Sequence, residues 1–348
     1  MGAVRVVHLV WKPLGLDPLR DFLASYQTHP AGLDHKLVVV FNGFDGEAEL
    51  GEWREALAGV EHDWLLVSPP TQDIPAYFEA ARRLDCEYLC FLNSYSVILD
   101  SEWLAKLHRH ARGEGVGAVG ATGSWQSHRS LKLFAWGERS AYTDILFDLK
   151  EHIPHEVPPA RFALSEGREQ EIRGMGLPRR LALRLYYLGL VAPYHLTLDY
   201  VRLRLEKRRD IRRFPAADFG PFPAYHLRTN AFMIRRDVML GLKTWGMPEK
   251  DDAYRFESGT ESMTNQLLRR GLKPLVVGRD GRAYEKEEWP LSETLFQGEQ
   301  RNLLVSDNVT RRYAESGALE RTILSRGAWG QASWTFPRAG GPGRAPRP

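Results

Sequence analysis

The fold of this chain is predicted chiefly from residues 87–99, EYLCFLNSYSVIL. The apolar run from Tyr88 to Leu92 is rich in strand formers and predicts a strand buried on both faces, as at the centre of a parallel sheet. It stops at the polar residues 93–96, and a second apolar run leads to Asp100, where a helix N-terminus is predicted. Because open α/β sheets bind ligands where central strands end, residues 93–96 are either a ligand site or a polar turn between core segments.

The composition is that of a globular protein with one large domain or two smaller ones: 348 residues, 43% hydrophobic and 26% charged. A net charge of +3 gives no indication of a nucleic-acid partner. The two cysteines, Cys86 and Cys90, are too few for a disulfide scaffold and predict reduced thiols in the cytoplasm. The N-terminal stretch MGAVRVVHLVW predicts a strand and lacks the pattern of a signal peptide.

Strand and helix patterns alternate along residues 4–121. The alternation predicts right-handed βαβ units and therefore an α/β fold with a mainly parallel sheet flanked by helices. Three predicted strands end in small or polar residues, at Trp11, Asn42 and Asn93, and parallel strands place such ends at one edge. We expect a cleft at that edge, lined also by Asp73 at a helix start.

Changes in composition divide the chain into four parts. Residues 1–124 and 225–325 have α/β patterns and are predicted to be two halves of one domain. Between them, residues 125–224 predict a largely helical, basic insertion, and residues 326–348, rich in Gly, Pro and Arg, predict a disordered tail. The basic run from Arg202 to Arg213 predicts either contact with an anionic membrane surface or a solvated face of helices packed on the domain.

In their order and spacing, these elements resemble GT-A fold glycosyltransferases, of the family 2-like group that includes bacterial O-antigen and rhamnosyl transferases. The resemblance covers about residues 4–124 and 225–313. It rests on the opening strand, the strand ending at Asn42-Gly43, the helix and strand leading to Asn93, the segment 228–237 and the acidic segment 257–271, with Arg301-Asn302 beyond them.

The resemblance implies a GT-A-like fold, with residues 1–124 as the nucleotide-sugar-binding half and residues 225–325 as the acceptor-binding half. It implies an inverting hexosyl- or deoxyhexosyltransferase that moves a sugar from a nucleotide-sugar donor to a glycan or lipid-linked acceptor in cell-surface polysaccharide synthesis. Such an enzyme would work in the cytoplasm, peripherally on the inner face of the membrane. The competing interpretation is a non-catalytic nucleotide-sugar or glycan-binding protein, since fold alone does not decide function.

The resemblance also implies roles for individual residues. Glu257, ahead of and outside the helix predicted over Met263 to Arg270, is the candidate general base, because a carboxylate can take the proton of an acceptor hydroxyl. Glu261 is the second candidate, since the spacing to the helix-ending glycine leaves the register open. Six residues are implied in donor binding: Trp11, Asn42, Asp73, Asn93, Tyr95 and Arg301.

The metal motif departs from the family pattern. Members usually carry Asp-x-Asp or Asn-x-Asp here, and the last carboxylate holds Mg²⁺ or Mn²⁺ on the donor diphosphate. This chain has Asn93-Ser94-Tyr95, and the phenol of Tyr95 is not a hard anionic ligand, so no metal ligand is assigned. Three alternatives follow: a metal held by other carboxylates such as Asp100 or Asp252, a diphosphate neutralised by cations such as Arg279, Lys286 and Arg301, or a site without catalysis.

Overall fold

The computed structural model describes residues 3–127 and 218–330, together with Gly176 and Pro178. Most of the predicted insertion, including the basic run from Arg202 to Arg213, lies outside the described residues, as does the chain beyond Gly330. Residues 326–329, predicted to begin a disordered tail, belong instead to the helix Ala318–Trp329. Within the described stretches, no helix is both long enough and apolar enough to cross a membrane.

The chain divides into two compact units. The first contains the described residues of 3–124 and 225–314, and the second contains residues 125–127, 218–224 and 315–330. The first unit carries the sheet and nearly all the predicted site residues.

Twelve strands and nine helices form the described parts of the chain, and they are numbered here in chain order. The strands are β1 (Val4–Trp11), β2 (Lys36–Asn42), β3 (His62–Val67), β4 (Tyr88–Leu92), β5 (Val97–Ile98), β6 (Val116–Gly120), β7 (Gly123–Ser124), β8 (His226–Leu227), β9 (Ala231–Arg235), β10 (Lys273–Val277), β11 (Ala283–Tyr284) and β12 (Val305–Ser306). The helices are α1 (Asp17–Thr28), α2 (Gly51–Ala56), α3 (Asp73–Arg83), α4 (Trp103–Ala111), α5 (Arg236–Leu240), α6 (Lys250–Ser258), α7 (Met263–Arg269), α8 (Asn308–Glu315) and α9 (Ala318–Trp329).

An eight-stranded sheet in the order β11-β10-β6-β9-β4-β1-β2-β3 forms the centre of the first unit. β4, β1, β2 and β3 pair in parallel, as do β6 and β10. β9 runs antiparallel to both β4 and β6, and β11 runs antiparallel to β10. Six of the eight strands therefore share one direction, which confirms the predicted α/β class with a mainly parallel, GT-A-like sheet flanked by helices.

β4 is the central strand that its apolar sequence predicts. All five of its residues are buried, and Phe91 packs on the rings of Tyr77 and Phe232, with centroids 4.6 and 5.2 Å away. Burying a side chain of this size contributes roughly 1.5–3 kcal/mol. Cys90, on the same strand, is a free thiol, and burial raises its pKa. The strand thus ends in a rigid position at Leu92, which fixes where residues 93–96 begin.

A short antiparallel ladder joins a distant segment to residues 97–98, which follow the end of β4. β5 pairs with β12, so that Val97 lies opposite Ser306 and Ile98 opposite Val305. The Leu99 amide continues the ladder by donating to the Leu304 carbonyl at 3.0 Å. Residues just beyond β12 are thereby brought beside the turn that precedes β5.

The second unit has its own aromatic cluster. The Trp125 amide donates to the Ala328 carbonyl at 3.1 Å, and the Ala224 amide donates to the Trp125 carbonyl at 2.9 Å. The Trp125 ring lies 6.3 Å from Phe222 and 6.0 Å from Trp329, between centroids. These contacts tie α9 to the chain on both sides of the insertion.

Candidate functional site

Residues 93–96 form a turn whose polar atoms make hydrogen bonds with one another and with Asn230. Asn93 Oδ1 accepts a hydrogen bond from the Tyr95 amide at 3.0 Å and lies 3.0 Å from Ser96 Oγ. An Asn side chain that bonds to the backbone two residues on is a common way of making a turn. The Asn93 amide donates to the Asn230 carbonyl at 2.8 Å. The polar turn that the sequence allowed is therefore present, and the acceptor atom of Asn93 is used inside it.

Glu257 is held by the segment that leads into β9, in which the Asn230 carbonyl accepts from the Asn93 amide. Its Oε2 accepts from the backbone amide of Thr229 at 2.7 Å and from Thr229 Oγ1 at 2.6 Å. Oε1 has no hydrogen-bond partner among the described residues, and the side chain is half-buried. Glu257 lies outside α7, as predicted, but it belongs to the last turn of α6, a helix that the sequence analysis did not predict. Residues 251–252 belong to the same helix because Glu249 and Asp252 form a capping box at its start.

A buried ion pair lies on the other side of the same segment. Arg228 Nη2 donates to Asp307 Oδ2 at 2.6 Å, and the two side chains are 12% and 1% exposed. Asp307 Oδ1 accepts from the Thr310 amide at 2.9 Å, at the start of α8. Burial opposes the ionisation of Asp307, but the charge of Arg228 and the bonds from Arg228 and Thr310 hold its pKa below the ordinary value. Both carboxylate oxygens are thus engaged, and the charge is neutralised.

One turn further along α8, Arg311 reaches the turn at 93–96. Its Nη1 donates to the backbone carbonyl of Tyr95 at 3.1 Å, and the side chain is half-buried. No carboxylate lies within ion-pair distance of Arg311 in the portion of the chain that the structure describes. The guanidinium therefore brings an uncompensated positive charge to the polar end of β4.

Asp73 lies on the same side of the sheet as Glu257. It begins α3, and its Oδ1 accepts from the Ile74 amide at 3.0 Å. Burial raises the pKa of Tyr77, and the negative charges of Asp73 and Glu257 raise it further. The helices that carry the two carboxylates, α3 and α6, also contact each other.

The ends of β1 and β2 lie side by side, as their sequences predicted. Trp11 and Asn42 are register partners, and the half-buried Trp11 ring lies against Gly43, where a Cβ would come within 3.0 Å of it. The Asn42 amide is 1% exposed and makes two bonds with Thr71: Nδ2 donates to its carbonyl at 2.7 Å, and Oδ1 accepts from its amide at 3.0 Å. Asn42 therefore anchors the loop after β3, and donor binding by these residues stays a prediction.

Two predicted residues do not join this group. Glu261 forms an ion pair with Arg269 at 3.1 Å, and the two side chains are 45% and 51% exposed, respectively. Such exposed pairs contribute about 0–1 kcal/mol. Arg301 is exposed and makes no hydrogen bond or ion pair with any described residue.

The described residues offer no preformed cluster for the divalent metal that the family resemblance implies. Mg²⁺ and Mn²⁺ take oxygen ligands, and at nucleotide sites one or two carboxylates act together with substrate phosphates and water. Asp100 is paired with Lys106, and Asp252 accepts from Arg255 at 2.9 Å. Across residues 3–127 and 218–330, no three or more His, Cys, Asp or Glu side chains are grouped to hold a metal. The alternative of a metal on Asp100 or Asp252 therefore has no support in the geometry.

The other cations suggested by the sequence are engaged elsewhere. Arg279 Nε donates to the Leu303 carbonyl at 2.6 Å. Lys286 pairs with Glu287 and lies 5.0 Å from the centroid of the Tyr225 ring. Neither contact involves the turn at 93–96.

Sequence reasoning missed three residues of the site: Thr229, Asp307 and Arg311. The sequence does contain a pattern that indicates the first two, Thr229 and Asp307. The polar run Arg228-Thr229-Asn230 directly precedes an apolar strand, and Asp307 stands three residues before Thr310, the spacing of a helix N-terminus. Nothing in the sequence pairs Arg311 with Tyr95, because that contact depends on the β5–β12 ladder.

Comparison with known proteins gives a limited result. No protein-family model matches the chain, and no curated protein sequence does. Among solved structures, the chain is similar to the mannosyltransferase PcManGT from Pyrobaculum calidifontis, determined in complex with GDP-Man and Mn²⁺. The identity is 17% and the TM-score 0.29, over 34% of this chain and 35% of that chain. The similarity thus spans about a third of each protein.

Proposed function

We propose that this chain is an inverting glycosyltransferase that moves a sugar from a nucleotide-sugar donor to a hydroxyl group of a glycan or lipid-linked acceptor. One observation carries the proposal: the carboxylate of Glu257 is fixed through Oε2 by Thr229, next to the residue that bonds to Asn93 at the carboxyl edge of the sheet, and Oε1 has no partner among the described residues. Ligands of open α/β sheets bind at that edge. The GT-A-like sheet and the family-like order of motifs support the same assignment.

The reaction that this arrangement suits is a single displacement. The acceptor oxygen forms a bond to the anomeric carbon of the donor sugar while the bond from that carbon to the diphosphate oxygen breaks. The acceptor proton passes to Glu257 Oε1, and the electron pair of the broken bond leaves with the nucleoside diphosphate. Attack from the face opposite the leaving group inverts the anomeric centre. Because Thr229 donates twice to Oε2, the free oxygen is held in one orientation, which is what general-base catalysis requires.

Donor binding is proposed for the residues along the same edge. Trp11 and Asp73 lie at a strand end and a helix start there, and Asn93 and Tyr95 form the turn beside Glu257. Asn42 would act by holding the loop at Thr71. Glu261 and Arg301 are not assigned roles in this proposal, because each is exposed and away from the group.

The test is a comparison of Glu257→Gln with the matched control Glu261→Gln. Wild type is first screened for release of UDP, GDP, dTDP or CMP from the corresponding nucleotide-sugars, with thermal shift as the binding readout. The Gln side chain keeps the shape of Glu257 but cannot accept the proton, so turnover should fall roughly 10²–10⁴-fold while donor binding is retained. Glu261→Gln should turn over like wild type.

Two results would overturn the proposal. Near-normal turnover by Glu257→Gln would show that the base lies elsewhere, and loss of turnover in Glu261→Gln alone would show that the register was wrong. Donor binding by wild type without any turnover would favour the non-catalytic binding protein instead.

A further inference from the structure

We propose that Arg311, and no divalent cation, neutralises the diphosphate of the donor. The inference rests on the proposed function and concerns the same site. It is carried by the chemistry of the atoms around the turn at 93–96 and by the position of Arg311 on that turn.

The first step is that the side-chain oxygens of Asn93 and Asp307 are already engaged. The one side-chain oxygen that the turn's Asn93 could offer already accepts from the Tyr95 amide and lies within hydrogen-bond distance of Ser96 Oγ. A metal on this oxygen would compete with both contacts. The nearby carboxylate of Asp307 has one oxygen on Arg228 and the other on Thr310, and its charge is already balanced.

The second step is that Arg311 is held at this turn by the fold. The β5–β12 ladder sets the start of α8 beside the turn, and the Arg311 amide donates to the Asp307 carbonyl at 3.0 Å within that helix. The bond from Nη1 to the Tyr95 carbonyl then fixes the guanidinium, at 3.1 Å. A guanidinium has five N–H donors, so most of its donors remain for a ligand after this one bond.

The third step is that Arg311 differs from Arg228 in its charge balance. Arg228 is tied to Asp307 in a buried pair, whereas Arg311 has no carboxylate within ion-pair distance among the described residues. A planar guanidinium binds phosphate oxygens through two parallel N–H bonds, and it is always charged. The ligand class that fits is a nucleoside diphosphate, bound through the phosphate oxygens where negative charge collects as the sugar leaves.

The experiment measures the binding of UDP and GDP to the full chain by calorimetry, once in EDTA and once in Mn²⁺. Wild type is compared with Arg311→Met, which keeps the apolar stem and removes the charge. Arg312→Met, the exposed neighbour on α8, is the matched control. Arg311→Lys keeps the charge but not the paired donors, and circular dichroism checks that each variant is folded.

We expect wild type to bind one of the two diphosphates with affinities that agree within about twofold in EDTA and Mn²⁺. Arg311→Met should bind roughly ten- to hundredfold more weakly in both buffers, the effect of losing charged hydrogen bonds. The affinity of Arg311→Lys should lie between those of wild type and Arg311→Met, and the affinity of Arg312→Met should equal that of wild type.

Binding that is at least tenfold weaker in EDTA, or an Arg311→Met variant that binds like wild type, would overturn the inference while leaving the proposed function intact. Absence of binding to wild type in either buffer, together with no turnover of any nucleotide-sugar, would instead remove the proposed function and the inference with it.

Discussion

Replacing Asp307 by Asn should destabilise the first unit strongly, because it leaves Arg228 charged and buried without its partner. The pair is among the most enclosed in the described structure, with side chains 12% and 1% exposed and a separation of 2.6 Å. Removing one member of a buried pair destabilises proteins by about 3–5 kcal/mol, since the remaining charge is uncompensated. Asn still offers Thr310 an oxygen, so the loss from Asp307→Asn reports the charge of Asp307 and its hydrogen bond with Arg228, apart from the helix cap.

Asp307→Ala should lower the free energy of unfolding further than Asp307→Asn does, because it also removes the cap of α8. The Asp307 side chain accepts from the Thr310 amide at 2.9 Å, and loss of such a cap is worth about 1 kcal/mol. The double variant Arg228→Met with Asp307→Asn should recover much of the loss, because it removes the stranded charge as well as its partner. With Arg228→Met alone as a fourth variant, the set separates the charge, the cap and the coupling.

The assay is urea unfolding followed by tryptophan fluorescence and circular dichroism at pH 7, and again at lower pH. The pKa of Asp307 is lowered in the folded state, so its stabilising charge is present above the unfolded pKa of about 3.9 and is lost as the pH falls through the folded value. The advantage of wild type over Asp307→Asn should therefore shrink in acid. Two results would refute a coupled buried pair. One is a loss of unfolding free energy below about 1 kcal/mol for Asp307→Asn at pH 7, and the other is a double variant whose loss equals the sum of the losses in the single variants.

Two further predictions concern Thr229 and His8. Thr229→Val removes the hydroxyl that donates to Glu257 at 2.6 Å, so nucleoside diphosphate release should slow about ten- to hundredfold with unchanged donor affinity, and Thr229→Ser should restore the rate; equal rates in Val and Ser would contradict the positioning role. Burial lowers the pKa of His8 to about 3 from 6.5, so its contribution to stability is complete above about pH 6.5 and declines by up to about 1.4 kcal/mol per unit as the pH falls toward 3. His8→Phe keeps the stacking on Phe22 and should flatten the dependence of unfolding free energy on pH between 7 and 5, whereas a slope equal to that of wild type would show that His8 is not its source.

The sheet could be predicted from the sequence because its signals are local. The apolar run from Tyr88 to Leu92 is long enough for a strand and too short for a helix, and the structure has the strand at those residues. The alternation of strand and helix patterns along residues 4–121 then fixed the parallel part of the sheet. The sequence did not predict where Glu257 stands in its helix, because the capping box at Glu249 starts α6 in a stretch of charged residues that also suits a loop.

The site was predictable only in part, because its contacts join segments far apart in the chain. Glu257 could be chosen as a candidate base from its motif, but its partner Thr229 lies 28 residues away. Arg311 donates to Tyr95 across 216 residues, and no local pattern encodes such a pairing. Asn42 and Asn93 were correctly placed at strand ends, yet the same property that put them there, an amide able to bond to backbone, uses up their side chains in turns and loops.

The charges left over at the end of β4 divide in the way that glycosyl transfer requires. Arg228 forms its ion pair with Asp307 and is also stabilised as a cation by the charge of Glu257, whereas neither Glu257 nor Arg311 has a partner within ion-pair distance among the described residues. In a displacement at an anomeric carbon, the attacking hydroxyl group loses a proton that a base must accept. The leaving group on the opposite side gains negative charge that must be stabilised. Glu257 is held by the segment before β9, and Arg311 is held by the helix after β12. β9 pairs with β4 and β12 pairs with β5, so two separate strand pairings fix the positions of the two charges. A site arranged in this way can carry a base and a counter-charge for the leaving group without the carboxylate that the Asn93-Ser94-Tyr95 sequence lacks.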